Sequence, residues 1–255
     1  MGRVGSKSLE TALSEHVRGA TLYHLHFLND RTIERIGGAL RKQYEVTGLA
    51  EMPEQFVAAL HLRALLREHR RRQEIPWKII SLVRDPLARH VSAFFQYFPT
   101  NFPELGRGHL HDPANLETLR DMLVHGFRDD RDYIASWFDN EVREPFDIDV
   151  FAEPFPHERG FQISRGGLAE LLVLRLEDLE RTASPAVREF LDIPSLEIPR
   201  VNVGARKAYG DVYRRFRSEV PLPAWLVDEV YGSKLARHFY TEDELAGFRA
   251  AWKTS

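Results

Sequence analysis

Apolar positions recur along this chain with two periods, and the switches between them mark its elements. Leu9, Leu13 and Val17 fall on one helical stripe, which predicts a helix over 8–18 stopped by Gly19. The run "ATLYHLHFL" at 20–28 then alternates like a strand. A helical stretch over 32–44 and an amphipathic helix in "EQFVAALHLRALLREHRRR" follow. "WKIISLV" is a short, continuously apolar strand of the kind buried in parallel sheets. "RDPLARHVSAFFQYF" opens a helix with Asp85 at the N-cap and Pro86 in the first turn. The stretch 99–113 reads as a loop, 116–125 and "YIASWFDNEVREPF" as helices, and 171–176 as a strand. "SPAVREFLDI" predicts a helix capped by Ser184 with Pro185 at its first position. Helices are expected again in "YGDVYRRFRSEV", "PAWLVDEVYGSKLARHFY" and "EDELAGFRAAWK". Strands alternating with helices predict an α/β layered fold with a parallel sheet.

Composition narrows this picture only modestly. The 255 residues fit one large domain, expected to span 1–255, and 43% hydrophobic with 29% charged residues is ordinary for a globular chain. A net charge of −3 argues against a general nucleic-acid binder. The absence of cysteine excludes disulfides and thiolate metal sites. No run of about 18 apolar residues and no signal-peptide core is found, so the expectation is a cytoplasmic protein without a transmembrane segment.

Candidate chemistry begins at the N-terminus. Gly2-Arg3-Val4-Gly5-Ser6-Lys7-Ser8 has the makings of an anion cradle, because small residues let backbone N–H groups approach an anion at a helix start. It fails the G-x-x-x-x-G-K-[ST] spacing of a nucleotide-triphosphate loop, since Gly2 and Gly5 are too close and Ser6 separates Gly5 from Lys7. The plain alternative is an ordinary N-cap on a tail. In "SLVRDPLARHVSAFF", Arg84 ends a strand, while Asp85, Arg89 and Ser92 share one helix face. Ligands sit at the carboxyl ends of such strands, so Arg84 and Ser92 make a second candidate anion site, against the alternative of a salt-bridged turn. On the 20–28 run, period two puts His24 and His26 on one face and Tyr23, Leu25 and Phe27 on the other. Packed core histidines are the competing explanation.

Together the two motifs resemble the sulfotransferase superfamily that uses 3′-phosphoadenosine 5′-phosphosulfate (PAPS). Arg3-Val4-Gly5-Ser6-Lys7-Ser8 matches its [KR]-x-G-[ST]-x-[ST] phosphosulfate loop, and Arg84-Asp85-Pro86 through Arg89 to Ser92 matches its 3′-phosphate segment. "YHLHFLN", "WFDNEV", "FDIDVF", "LLVLRLEDL" and "HFYTEDEL" further resemble a bacterial family of capsular polysaccharide synthesis proteins related to sulfotransferases. That family often carries Asn-Lys-Trp-Tyr-Ser where this chain has Asp132-Tyr133-Ile134-Ala135-Ser136, so acceptor details are not carried over.

The resemblance implies a P-loop-like three-layer fold and transfer of a sulfuryl group to a carbohydrate hydroxyl, with PAPS as co-substrate, 3′,5′-ADP (PAP) as product and no metal. It implies that Arg3, with Lys7 and the loop amides, stabilises the leaving phosphate. Arg84 and Ser92 would hold the 3′-phosphate. A base near the end of the strand after the loop would be His26 first and His24 second, with His61 as runner-up. Asn202, Arg206 and Lys207 in "RVNVGARKAYGD" would close over the nucleotide. Asp139 and Glu141 could grip sugar hydroxyls, while Trp137 and Phe138 are expected in the core. His24-x-His26 could suit a metal pair, but no third ligand stands nearby. Related enzymes place a buried strand ahead of the loop, and only Met1 stands there, so a start further upstream, or a truncated domain, is expected. Rival expectations are a P-loop kinase, for which Ser8 after Lys7 would be the Mg²⁺ ligand, and an inactive nucleotide-binding relative in a polysaccharide assembly complex. The sequence leaves the acceptor's identity and the oligomeric state open.

Overall fold

The computed structural model describes residues 2, 4–47, 53–72, 76–102, 105, 112–198 and 209–255. Their order is α1 (Ser6–Ser14), α2 (Asp30–Thr47), α3 (Glu54–Arg72), β1 (Trp77–Val83), α4 (Pro86–Asn101), α5 (Leu116–Ala135), α6 (Glu144–Phe146), β2 (Phe161–Arg165), β3 (Ala169–Arg175), α7 (Leu179–Leu191), α8 (Gly210–Glu219), α9 (Ala224–Gly232), α10 (Lys234–Phe239) and α11 (Glu242–Ala250). A 3-10 turn at Pro113–Asn115 precedes α5, and a π turn at Asp139–Arg143 leads into α6.

Among the described residues the sheet has three strands in the order β1-β3-β2. β1 runs parallel to β3 with Trp77 opposite Ala169 and Val83 opposite Arg175, while β2 pairs antiparallel with β3. As the middle strand, β3 buries Leu171, Leu172, Val173 and Leu174 completely, which is why it reads as an unbroken apolar run. The fold is therefore mixed α/β and mostly helical, with one parallel pair where a larger parallel sheet was expected. The short edge strand β2 carries no long apolar pattern and was not foreseen.

The strand expected over 20–28 is absent: the segment is irregular and joins no sheet. An extended backbone becomes a strand only when a neighbour supplies a hydrogen-bond ladder, and alternation alone cannot provide one. A second correction concerns α7, which starts at Leu179, so that Pro185 lies inside it. The helix is nucleated by the buried Leu179, Thr182 and Ala183, with Arg181 and Thr182 N–H donating to the Asp178 carbonyl. Ser184 caps nothing; its Oγ bonds both the N–H and the carbonyl of Leu196. By contrast, β1 and α4 form where expected, with Asp85 as N-cap.

One large core cluster joins α1, β1, α4, the sheet and the C-terminal helices, from Val4 to Trp252. A small satellite of Ile33, Phe56 and Ala59 locks α2 onto α3. Among the described residues no helix is long and apolar enough to cross a membrane.

Candidate functional site

The N-terminal loop folds onto the carboxyl end of the parallel pair. Gly5 adopts φ 87°, a left-handed conformation that favours glycine, and turns the chain into α1. A β-carbon there would lie 2.6 Å from Leu176 Cδ1. Leu176 in turn donates its N–H to the Val83 carbonyl, 2.8 Å away, at the end of β1. Val4 is buried and Lys7 is exposed. Ser8, also buried, donates its N–H to the Gly5 carbonyl at 3.0 Å.

The second motif reaches the same place. Asp85 Oδ1 accepts from the N–H groups of Leu87 and Ala88 at 3.0 and 3.1 Å, closing the start of α4. The Tyr231 hydroxyl donates to the same oxygen at 2.9 Å and itself receives the Trp252 indole N–H at 3.0 Å. The Asp85 N–H donates to Glu177 Oε1 at 2.8 Å, and Tyr240 donates to Glu177 Oε2 at 2.9 Å. Burial raises the pKa of both carboxyls, Asp85 and Glu177, and raises those of Tyr231 and Tyr240. Arg89 Nε donates to the Gly2 carbonyl at 3.1 Å, tying the α4 face directly to the loop. Arg84 is half-buried beside this turn, and Ser92 is buried along α4. The structure thus brings together the two segments that the sequence holds some eighty residues apart.

The histidines stand beside the loop. Although no strand forms, alternation still places His24 and His26 side by side, with ring centroids 4.9 Å apart in an edge-on arrangement. His24 Nε2 lies 3.0 Å from Ser6 Oγ, and its Nδ1 lies 2.9 Å from Glu10 Oε2, the oxygen that also pairs with Lys7 Nζ at 2.8 Å. Burial lowers the His24 pKa and the Glu10 carboxylate opposes that effect. The His26 carbonyl accepts from Trp137 Nε1 at 3.1 Å, and its buried Nδ1 has no hydrogen-bond partner among the described residues. Burial, helped by His24 and Arg89, lowers the His26 pKa to about 3.

Other candidates part company with this cluster. His61 is exposed on α3, and its ring centroid lies 6.1 Å from that of Tyr23. Glu141 is buried rather than offered to a ligand. It accepts from Leu28 N at 2.5 Å, Asn29 N at 2.7 Å and Thr32 Oγ1 at 2.7 Å, clamping the entry to α2. Asp139 stays near the surface, 3.9 Å from Arg143. Trp137 and Phe138 are core residues, as expected. Arg3, Asn202, Arg206 and Lys207 lie outside the described residues. No group of three metal-ligating side chains occurs among the described residues.

Sequence reasoning missed Glu10, Glu177, Tyr231, Tyr240 and His90. Glu10 carried a signal, since it stands one helical turn after Ser6. The aromatic partners of Asp85 and Glu177 come from the last quarter of the chain and had none. His90 is buried against Phe127, and burial lowers its pKa to about 4.

Comparison with curated proteins and with solved structures finds no match to this chain. Residues 118–241, just under half of the chain, match the model of the NKWYS family, described as "Putative capsular polysaccharide synthesis protein". That span holds Trp137, Glu141, β2, β3, Glu177, Tyr231 and Tyr240, the residues that brace the cluster from behind, and over it the chain is similar to a family connected with capsular polysaccharide synthesis.

Proposed function

We propose that this chain is a carbohydrate sulfotransferase that moves a sulfuryl group from PAPS to a sugar hydroxyl of a bacterial polysaccharide, on a P-loop-like sulfotransferase scaffold. The observation that carries it is the meeting of the 2–8 loop and the 84–92 segment at the carboxyl end of β1 and β3, through the Arg89–Gly2 bond and the Gly5–Leu176 contact. The residues fit such a donor. Gly5 supplies a conformation and a close approach that a side chain would block, and Ser6, Lys7 and Ser8 follow on the first turn of a helix. On this reading Arg84 and Ser92 hold the second phosphate.

The donor supplies an activated sulfuryl group and a phosphate leaving group; the chain supplies position and charge. Lys7 and the α1 amides offset the charge that builds on the leaving phosphate. Of the two histidines, we place His24 first as general base and His26 second, reversing the order taken from the sequence. A base works best with a pKa near the working pH, and a His26 pKa of about 3 leaves that ring a poor proton acceptor. Glu10 beside Nδ1 favours the His24 tautomer that leaves Nε2 as acceptor. A sugar hydroxyl replacing Ser6 at Nε2 passes its proton there as its oxygen bonds to sulfur.

Calorimetry tests this first. PAP should bind without Mg²⁺, and Arg84→Ala should weaken it about tenfold to a hundredfold, the worth of a charge-assisted hydrogen bond. Mg²⁺-dependent ATP binding with no PAP binding would refute the proposal in favour of a kinase. PAP binding without sulfate transfer to any member of a broad glycan panel would favour an inactive nucleotide-binding relative.

A further inference from the structure

A second concave site lies a few residues beyond the histidines. Leu28, Asn29, Asp30, Arg63, Leu66, Arg67, Glu144 and Pro145 line a cleft of about 270 Å³ between the start of α2, the middle of α3 and α6. That volume falls just under the range of about 300–1,000 Å³ typical of sites for drug-sized ligands, so it suits one ring rather than a chain of several.

The charges in the cleft are unevenly satisfied. Arg63 forms an ion pair with Asp30, and Glu144 accepts from Asn29 Nδ2 at 2.5 Å. Arg67 follows Arg63 by one helical turn, a like-charge spacing that costs stability unless an anion answers it. Among the described residues no carboxylate pairs with Arg67. The lining therefore holds two carboxylates already engaged and one guanidinium in excess. Beside them, Leu28, Leu66 and Pro145 offer an apolar surface suited to the C–H face of a pyranose ring. The carboxylates keep oxygens that can accept from ring hydroxyls, and a guanidinium fork matches a carboxylate or sulfate in two-point contact.

The location adds a second argument. The segment 24–29 runs without interruption from the histidines to the cleft, and the four to five residues from His24 to Leu28 and Asn29 span at most about 13–18 Å. Its course is fixed at both ends, by Trp137 on the His26 carbonyl and by Glu141 on the N–H groups of Leu28 and Asn29. A sugar seated in the cleft thus lies no further than about 13–18 Å along the chain from the proposed base, a few saccharide units away.

We infer that this cleft is the acceptor subsite and takes a single acidic sugar unit, its anionic group held by Arg67 and Arg63. The assignment rests on the sulfotransferase reading for its role as acceptor site, but the binding itself does not. Acidic sugars reach such a site either as uronates or as sulfate esters, and the two share the oxyanion that Arg67 would hold.

Saturation-transfer NMR and calorimetry on the full chain, without donor, separate these questions. The probes are methyl glucuronide, methyl glucoside and glucose 6-sulfate. Methyl glucuronide should bind, methyl glucoside should bind at least tenfold more weakly, and Arg67→Gln should weaken the glucuronide about tenfold to a hundredfold while PAP affinity stays unchanged. Tighter binding of the sulfate ester than of the glucuronide would assign the subsite to sulfated units. Equal binding of glucoside and glucuronide, or full affinity in a folded Arg67→Gln protein, would overturn the acidic-sugar assignment. No saccharide binding in a protein that still binds PAP would overturn the subsite and leave the sulfotransferase proposal standing. Saccharide binding without PAP binding would do the reverse.

Discussion

At the scale of single residues, Gly5 and His24 carry the sharpest predictions. Gly5→Ala adds a β-carbon where Leu176 already stands and forces an L-residue into φ 87°. The expected loss is about 1–3 kcal/mol in urea unfolding, with PAP affinity reduced as well. Leu176→Ala in the same background should recover only part of it, because the steric clash is relieved and the backbone strain is not. For the histidines, His24→Gln should lower kcat about a hundredfold or more with PAP affinity unchanged. His26→Gln should cost less turnover. Wild-type turnover in His24→Gln would remove that residue as base. The acid limb of the kcat/KM profile should fall below pH 6.5, since burial lowers the His24 pKa from that value.

At the scale of elements, the α4 start shows how a local signal and a distant brace combine. The dipeptide Asp85-Pro86 specifies the helix start locally, by cap and by fixed φ. Glu177, just after β3, and Tyr231, Tyr240 and Trp252, from the C-terminal helical region, then hold that turn. Arg175 at the end of β3 bonds Asp178 ahead of α7 and ties the C-terminal helices to the sheet through Glu244 and the Phe239 carbonyl. Asp85→Ala should therefore cost about 2–4 kcal/mol, more than a lost cap, because the buried Tyr231 hydroxyl is left without its acceptor. Asp85→Asn keeps an acceptor and should cost clearly less; equal losses in thermal unfolding would show that the Tyr231 bond contributes nothing. The elements legible in advance were those with strong local chemistry: α2, α3, β1, α4 and the C-terminal helices. Segment 20–28 and the start of α7 were misjudged because their outcome depends on neighbours, a missing ladder in one case and burial against the sheet in the other.

At the scale of the whole molecule, buried titratable groups link folding to pH. His26 and His90 have pKa values lowered to about 3 and about 4, so between pH 6.5 and those values the unfolded chain binds more protons than the folded one. Their contribution is complete above pH 6.5 and is lost as pH falls through that window. Asp85 and Glu177, with raised pKa values, act in the opposite sense above their unfolded pKa values. The clean readout is a difference: His90→Gln should unfold with a shallower loss of stability between pH 6.5 and 4 than the wild-type chain, followed by urea titration at each pH. The sequence by itself determined the character of the local pieces. It marked a glycine-containing loop at a helix start, a capped strand-to-helix turn with its Arg and Ser, and a pair of alternating histidines, because caps, turns and periodicity are properties of neighbours along the chain. Only the tertiary structure decided that loop and turn share the carboxyl end of the parallel pair, and that Glu10 and Ser6 flank His24. It alone decided that Glu141 serves as a clamp rather than a sugar ligand, and that a cleft opens beyond Asn29. Those outcomes depend on which distant surfaces bury one another, and burial is decided by packing in three dimensions, which no short stretch of sequence encodes.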